Sequence, residues 1–211
     1  MKIVKLLIPI LVVAIALSWD WPWSKINENN NSINIKLPVG DHSVLYNYSN
    51  LIWKGQKAIG GSHTGNLDLK NGEIKIDTEG RVSGSLIIDM NSINCTDLQG
   101  EWKNKLEGHL KNEDFFSVNK FPESKIEFQS VKRIKNLIEF DGILTIKSIS
   151  IPISFAANLS ESESAILAIA NLNFDRSKFD IKYGSRTFFE NLGDNLILDD
   201  INIKVTLAIN N

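Results

Sequence analysis

The chain has 211 residues, a formal net charge of -2 and 43% hydrophobic residues, a length and balance that suit one all-β barrel domain as readily as two small domains. Basic residues cluster nowhere beyond Lys132, Arg133 and Lys135, so the electrostatic footprint that nucleic-acid binding requires is missing. Cys95 is the single cysteine, which excludes an intramolecular disulfide and any Cys-x-x-Cys redox or zinc arrangement, and a lone thiol of this kind is expected to be buried.

Lys2 and Lys5 precede an apolar run from Leu6 to Leu17, the basic region and short hydrophobic stretch of a secretory signal, too short to span a bilayer unaided. Residues 1–18 therefore read as a signal peptide or signal anchor. Ala14, Ala16 and Ser18 offer small residues for cleavage. Trp19, Trp21 and Trp23 suit a membrane interface, and would associate an uncleaved chain with the membrane. Either way the chain is expected to be exported to the periplasm or cell envelope. Residues 19–38, with Trp-Pro-Trp and Asn29 to Asn31, read as a polar linker, and the folded domain is expected over 39–211.

From Val39 onward the chain breaks into short period-two segments separated by turn residues such as Asn71-Gly72, Glu79-Gly80 and Lys135-Asn136. Eight or nine antiparallel strands are predicted. Val82, Leu86, Ile88 and Met90 alternate with Ser83, Ser85 and Asp89. The same pattern recurs in Ile149, Ile151, Ile153 and Phe155, and in Ile201, Ile203, Val205, Leu207 and Ile209. Each strand thus has one apolar face. One segment departs from this period. Thr96 and Gln99 have capping-box spacing, and Leu98, Trp102, Leu106 and Leu110 recur every four residues. This predicts an amphipathic helix over about 97–110, docked through Leu98, Trp102 and Leu106 onto the mouth or flank of the sheet.

A one-faced strand set can close around an apolar interior or invert into an outer-membrane barrel. The interrupting helix, the lack of paired aromatic girdles and the Asn210-Asn211 ending favour the apolar interior. Catalytic chemistry finds no support. His42, His63 and His109 are far apart with no metal-binding spacing, no Gly-x-Ser-x-Gly elbow occurs, and Cys95 has no recognisable base beside it. No metal is expected, since a site would need a spatial meeting that spacing does not announce.

Several ordered motifs carry a resemblance. They are GSHTGNLDLKNGEI (Gly61 to Ile74), GHLKNEDFFSVNKFPESKIEF (Gly108 to Phe128), DGILTIKS (Asp141 to Ser148), NFDRSKFDIKYGS (Asn173 to Ser185) and FFENLGDN (Phe188 to Asn195). From about Leu51 to the C-terminus the chain resembles the YceI-like family of exported polyisoprenoid-binding proteins, in its Bacteroidetes-type branch. The resemblance implies an eight-stranded lipocalin-like barrel holding an isoprenoid or similar long-chain amphiphile, with no cofactor beyond that lipid and no catalysis.

On this reading Leu86, Ile88, Phe128, Phe140, Leu144, Ile146, Ile153, Phe155, Val205 and Leu207 line the cavity, joined by Trp102 and Leu106 from the helix. The same strand residues would equally pack a solid core, because eight strands enclose just enough room for side chains or for one slim ligand. Lys105 and His109, one helical turn apart, and Arg176 are the candidates for meeting a head group. Their structural alternatives are a solvated helix face and, for Arg176, a pair with Asp175 or the satisfaction of loop carbonyls. Where the family continues Leu-Thr-Ile-Lys-Gly with Thr and Lys, this chain has Ser148, Ser150 and Ile151, which removes a cationic contact at that turn. The expected function is binding or carriage of the lipid in the envelope. Its rivals are a filled barrel acting through its surface and a quinone-handling envelope enzyme. The sequence sets no oligomeric state.

Overall fold

The computed structural model describes residues 34–211. The signal segment and most of the expected linker lie outside them. Nine strands follow in chain order: β1 (Gly40–Ser43), β2 (Asn50–Gln56), β3 (Ser62–Ile76), β4 (Val82–Cys95), β5 (Glu123–Ile134), β6 (Leu137–Ile146), β7 (Ile149–Glu161), β8 (Ala165–Asp175) and β9 (Asp200–Asn210). One helix, α1 (Gly100–Lys111), stands between β4 and β5. Every pairing is antiparallel, in the order β1-β3-β2-β9-β8-β7-β6-β5-β4, and β3 also pairs with β4. That last pairing closes β2 to β9 into an eight-stranded barrel, with β1 added on the β2 side of β3.

The alternation seen in the sequence becomes an inside and an outside. Leu86, Ile88, Met90, Ile126, Phe140, Leu144, Ile146 and Val205 are buried. Their strand neighbours carry exposed ion pairs such as Lys70–Glu123 at 2.6 Å and Lys125–Glu127 at 2.8 Å. The barrel interior is therefore the apolar one. The β6–β7 hairpin turns through two residues, Lys147 (φ 50°) and Ser148 (φ 66°), flanked by the pair Ile146 and Ile149. Positive φ at both positions is the turn whose twist matches the flanking strands.

Three expectations about elements change. Asn71-Gly72 is not a turn: it lies inside β3 beside a register shift between Leu69 and Asn71, so the strand bends and runs on. A Cβ on Gly72 would lie 2.6 Å from a methyl of Val44, so glycine there admits the segment that follows β1. The helix begins at Gly100, and Gln99 caps it without a side-chain bond. Thr96 is no cap: its hydroxyl and its N–H both donate to the Thr64 carbonyl, at 3.3 and 2.9 Å, which prolongs the β3–β4 ladder past Cys95. The packed domain also starts before Val39. Ile35 and Leu37 are buried in the core, and the Ile35 N–H donates to Asn136 Oδ1 at 2.9 Å while Arg133 donates to the Ile35 carbonyl. Asn136 sits in the β5–β6 turn, so this segment lies at the barrel end opposite α1.

Candidate functional site

The inward faces enclose one continuous cavity of about 500 Å³. It runs from Gly55, His63 and Trp102 at the helix end to Leu37, Ile138 and Ile209 at the other. Leu86, Ile88, Phe128, Phe140, Leu144, Ile146, Phe155, Val205 and Leu207 all stand on its wall, as the strand phase requires. Phe128, Phe140 and Phe155 meet as a ring cluster, with centroids 5.4 Å apart for the first pair, 5.9 Å for Phe128–Phe155 and 5.2 Å for Phe140–Phe155.

Ile153 shares this inward phase and is half-buried, yet it is not on the cavity wall. Its row explains why. Phe128 pairs with Gly142 and Gly142 with Ile153, and a Cβ on Gly142 would lie 3.2 Å from the Phe128 Cβ. The Phe128 ring extends away from Gly142 over its β4 partner Gly84, where a Cβ would lie 2.7 Å from Phe128 Cζ, and it is this ring and not Ile153 that meets the cavity.

The helix lies across the mouth of the cavity. Lys103 donates to Asn94 Oδ1 at 2.7 Å, and Glu107 accepts from the Cys95 N–H at 2.7 Å, which ties α1 to the end of β4. Leu98, Leu106 and Leu110 face the opening half-buried, but no residue of the helix is fully buried. Trp102 is 70% exposed while still bordering the cavity, so the expectation that it docks as a buried anchor is corrected. The stripe covers an opening and not a packed surface, which leaves its first aromatic residue at the rim. Lys105 and His109 also border the cavity. Lys105 Nζ sits 5.5 Å from the Trp102 ring centroid. The His109 ring packs edge-on against Phe115 and Tyr183 and lies 3.3 Å from Asp114.

Arg176 belongs to the scaffold. It is 1% exposed, and its guanidinium donates to the carbonyls of Leu198 (3.2 Å), Ile181 (3.1 Å) and Ile197 (3.1 Å). Asp199 Oδ1 is 3.2 Å away as its ion-pair partner, while Asp199 Oδ2 accepts from Ser185 and Thr187. Burial lowers the Arg176 pKa, against which Asp199 and then Asp175 act. Of the readings of this arginine, the loop-carbonyl one is seen, with Asp199 and not Asp175 as the ion-pair partner: its donors hold together the long β8–β9 connection, while the side chain also borders the cavity.

Two polar atoms in the cavity wall drew no attention in the sequence. Trp53 Nε1 and Ser124 Oγ are buried without a hydrogen-bond partner among the described residues, in side chains only 8% and 6% exposed. Buried polar groups are almost always paired, and leaving one unpaired costs about 1–3 kcal/mol. Both sit on strands whose period marked them only as inward-facing.

The barrel rim also assembles a group that spacing did not announce. Cys95 Sγ donates to Asp97 Oδ1 at 3.0 Å, and His63 Nδ1 is 3.1 Å from Asp97 Oδ2. Burial, and then the bond to Asp97, hold the Cys95 thiol above its ordinary pKa. Burial works against the Asp97 charge too, but bonds from Cys95, Thr64 and His63 outweigh it and keep that carboxyl below its usual range.

Comparison with known proteins agrees with this architecture. BcnA of Burkholderia cenocepacia superposes with a TM-score of 0.64 at 16% identity, over 78% of this chain and 98% of that one. A structure described as a polyisoprenoid binding domain from Saccharophagus degradans gives 0.59 at 16% identity, over 80% and 97%. The YceI protein of Campylobacter jejuni gives 0.51 at 22%, over 69% and 84%. No curated protein matches the chain in sequence. Residues 40–209, the whole barrel from β1 almost to the end of β9, match the YceI-like domain, and the chain belongs to that family.

Proposed function

We propose that this chain binds a long-chain isoprenoid or a similar amphiphilic lipid inside the barrel and carries it in the cell envelope without changing it chemically. One observation carries the reading: a single apolar cavity of about 500 Å³ threads the barrel, and the only unpartnered buried polar atoms on its wall, among the described residues, are Trp53 Nε1 and Ser124 Oγ. That volume is within the roughly 300–1,000 Å³ usual for small-molecule sites. Each buried methylene contributes about 0.8 kcal/mol, so a prenyl chain of modest length reaches micromolar affinity without directed contacts. The indole N–H and the serine hydroxyl suit an oxygen-bearing head group that accepts hydrogen bonds. The polyisoprenoid binding domain of Saccharophagus degradans, alike in fold, adds weight to the isoprenoid class. The raised pKa of Cys95 opposes its use as a nucleophile, which favours binding over catalysis.

The test is mass spectrometry of organic extracts from natively purified protein, paired with titration of a fluorescent prenyl probe into delipidated protein. A chain-bearing lipid in the extract, and saturable binding of the probe, are the expected results. An empty extract together with no probe binding would overturn the reading and leave a barrel that works through its surface.

A further inference from the structure

We propose that His63, Cys95 and Asp97 form a binding site for a divalent metal ion of the zinc class at the rim of the barrel. The site follows from strand register. Gly65 pairs with Cys95 and Asn66 with Asn94, and continuing that antiparallel ladder by two residues sets His63 opposite Asp97. Thr96 keeps the ladder going through its bond to Thr64. Residues two apart on a strand share a face, so all three side chains project to one side. In the same row the Trp53 indole covers Gly65, and Gly55 stands opposite His63 on β2, so no side chain from that position crowds the imidazole.

The donor set is chemically apt. One thiol sulfur, one imidazole nitrogen and one carboxylate oxygen lie within 4.8 Å of one another. Ligands around a tetrahedral zinc ion sit about 3.5 Å from each other, given bond lengths of about 2.0–2.3 Å. Cys95 Sγ lies 3.0 Å from Asp97 Oδ1 and His63 Nδ1 lies 3.1 Å from Asp97 Oδ2, so reaching tetrahedral spacing takes a rotation of the carboxylate and side-chain shifts on the order of 1 Å. Three protein ligands leave a fourth position for water. A mixed sulfur, nitrogen and oxygen set favours zinc over magnesium or calcium, which take oxygen alone. His63 also borders the cavity, and its side chain is partly open, so an ion has a way in.

The proton balance is defined. The thiol S–H now donates a hydrogen bond to Asp97 Oδ1. On metal binding the sulfur–hydrogen bond breaks, the thiolate binds the ion and one proton leaves to solvent. His63 binds through Nδ1 as the tautomer protonated on Nε2, and Asp97 remains a carboxylate. One proton is released per ion wherever His63 starts neutral.

The experiment is titration of untagged protein with cobalt(II), followed by zinc competition and by calorimetry in buffers of different ionisation enthalpy. Expected are a near-ultraviolet thiolate-to-cobalt charge-transfer band that saturates at one ion per chain, its loss on adding zinc, and release of one proton. Cys95→Ser should abolish the band, and His63→Asn should weaken zinc binding more than about tenfold, with circular dichroism confirming that both variants fold. No charge-transfer band in the wild type, or equal zinc affinity in wild type and His63→Asn, would show the trio to be a hydrogen-bond network alone. Because the readout uses the metal and not the lipid, it stands or falls separately from the proposed lipid binding.

Discussion

The indole of Trp53 lies flat against Gly65, its partner across the β2–β3 ladder, so closely that a Cβ at position 65 would be 2.5 Å from two of its ring carbons. The same Cβ would be 2.0 Å from the Asn94 carbonyl, so glycine is needed on both sides at once. Gly65→Ala should therefore push Trp53 out of place and strain the β3–β4 pairing, at a cost of roughly 1–3 kcal/mol or more. A lowered melting midpoint, with a shift in tryptophan fluorescence, is the expected measurement.

Trp53→Phe keeps the ring and removes the orphaned N–H. If that N–H serves an oxygen of the ligand, the variant should bind an oxygen-headed prenyl probe roughly tenfold more weakly, the equivalent of about 1–1.5 kcal/mol for one hydrogen bond. Stability should change little, because an unpaired buried donor is gone but so is part of the ring system that packs on Gly65. Equal affinity for probes with and without an oxygen head would show that Trp53 contributes area alone.

Trp102 sits at the rim, and its exposure sets the size of its effect. Trp102→Ala should change folding stability by no more than about 0.5 kcal/mol, the usual range for surface sites, while weakening retention of the probe at the mouth. Thermal melting beside probe dissociation rate separates the two. A loss of several kcal/mol would mean the helix packs against the barrel more tightly than the structure has it.

Val205 is buried on the cavity wall, with space in front of it. Val205→Trp should fill that space and displace the probe while the delipidated protein melts close to the wild type. In a filled core the same change would cost about 1–3 kcal/mol of strain. A large drop in melting temperature with unaltered probe binding would refute the cavity-filling account.

Arg176→Met would leave three carbonyls of the β8–β9 connection without their donor and the Asp199 carboxylate without its ion-pair partner. Removing one partner of a buried ion pair costs about 3–5 kcal/mol. The expected result is a large fall in denaturant midpoint, and in hydrogen-exchange protection over residues 176–199, whether or not lipid is present. Full stability with lost probe affinity would instead restore a head-group role to this arginine.

The strand phases were legible in the sequence because side chains alternate with a period of two and one face must leave water; Phe140, Leu144 and Val205 could not be shifted by one residue without burying Glu139, Thr145 or Lys204. The family's motifs, from GSHTGNLDLK to FFENLGDN, likewise stand in the chain itself. Asn71-Gly72 misled because a turn signal and a bulge signal use the same residues, and only the Val44 contact distinguishes them. Thr96 misled because its spacing from Gln99 says nothing of the competing bond to Thr64, 32 residues earlier.

What the sequence by itself determined was therefore one apolar face per strand and one amphipathic helix, which follow from local periodicity, and, through the family's motifs, the barrel. Tertiary structure alone decided the rest. Whether the interior is filled or hollow depends on how eight strands close, on Gly84 leaving room for the Phe128 ring, and on Leu37 reaching the far end. The orphaned Trp53 and Ser124 atoms, the rim position of Trp102, the buried and carbonyl-bonded Arg176, and the meeting of His63 with Cys95 and Asp97 all arise between residues far apart in the chain. Local pattern carries no information about such pairs, because strand register and barrel closure set which of them meet.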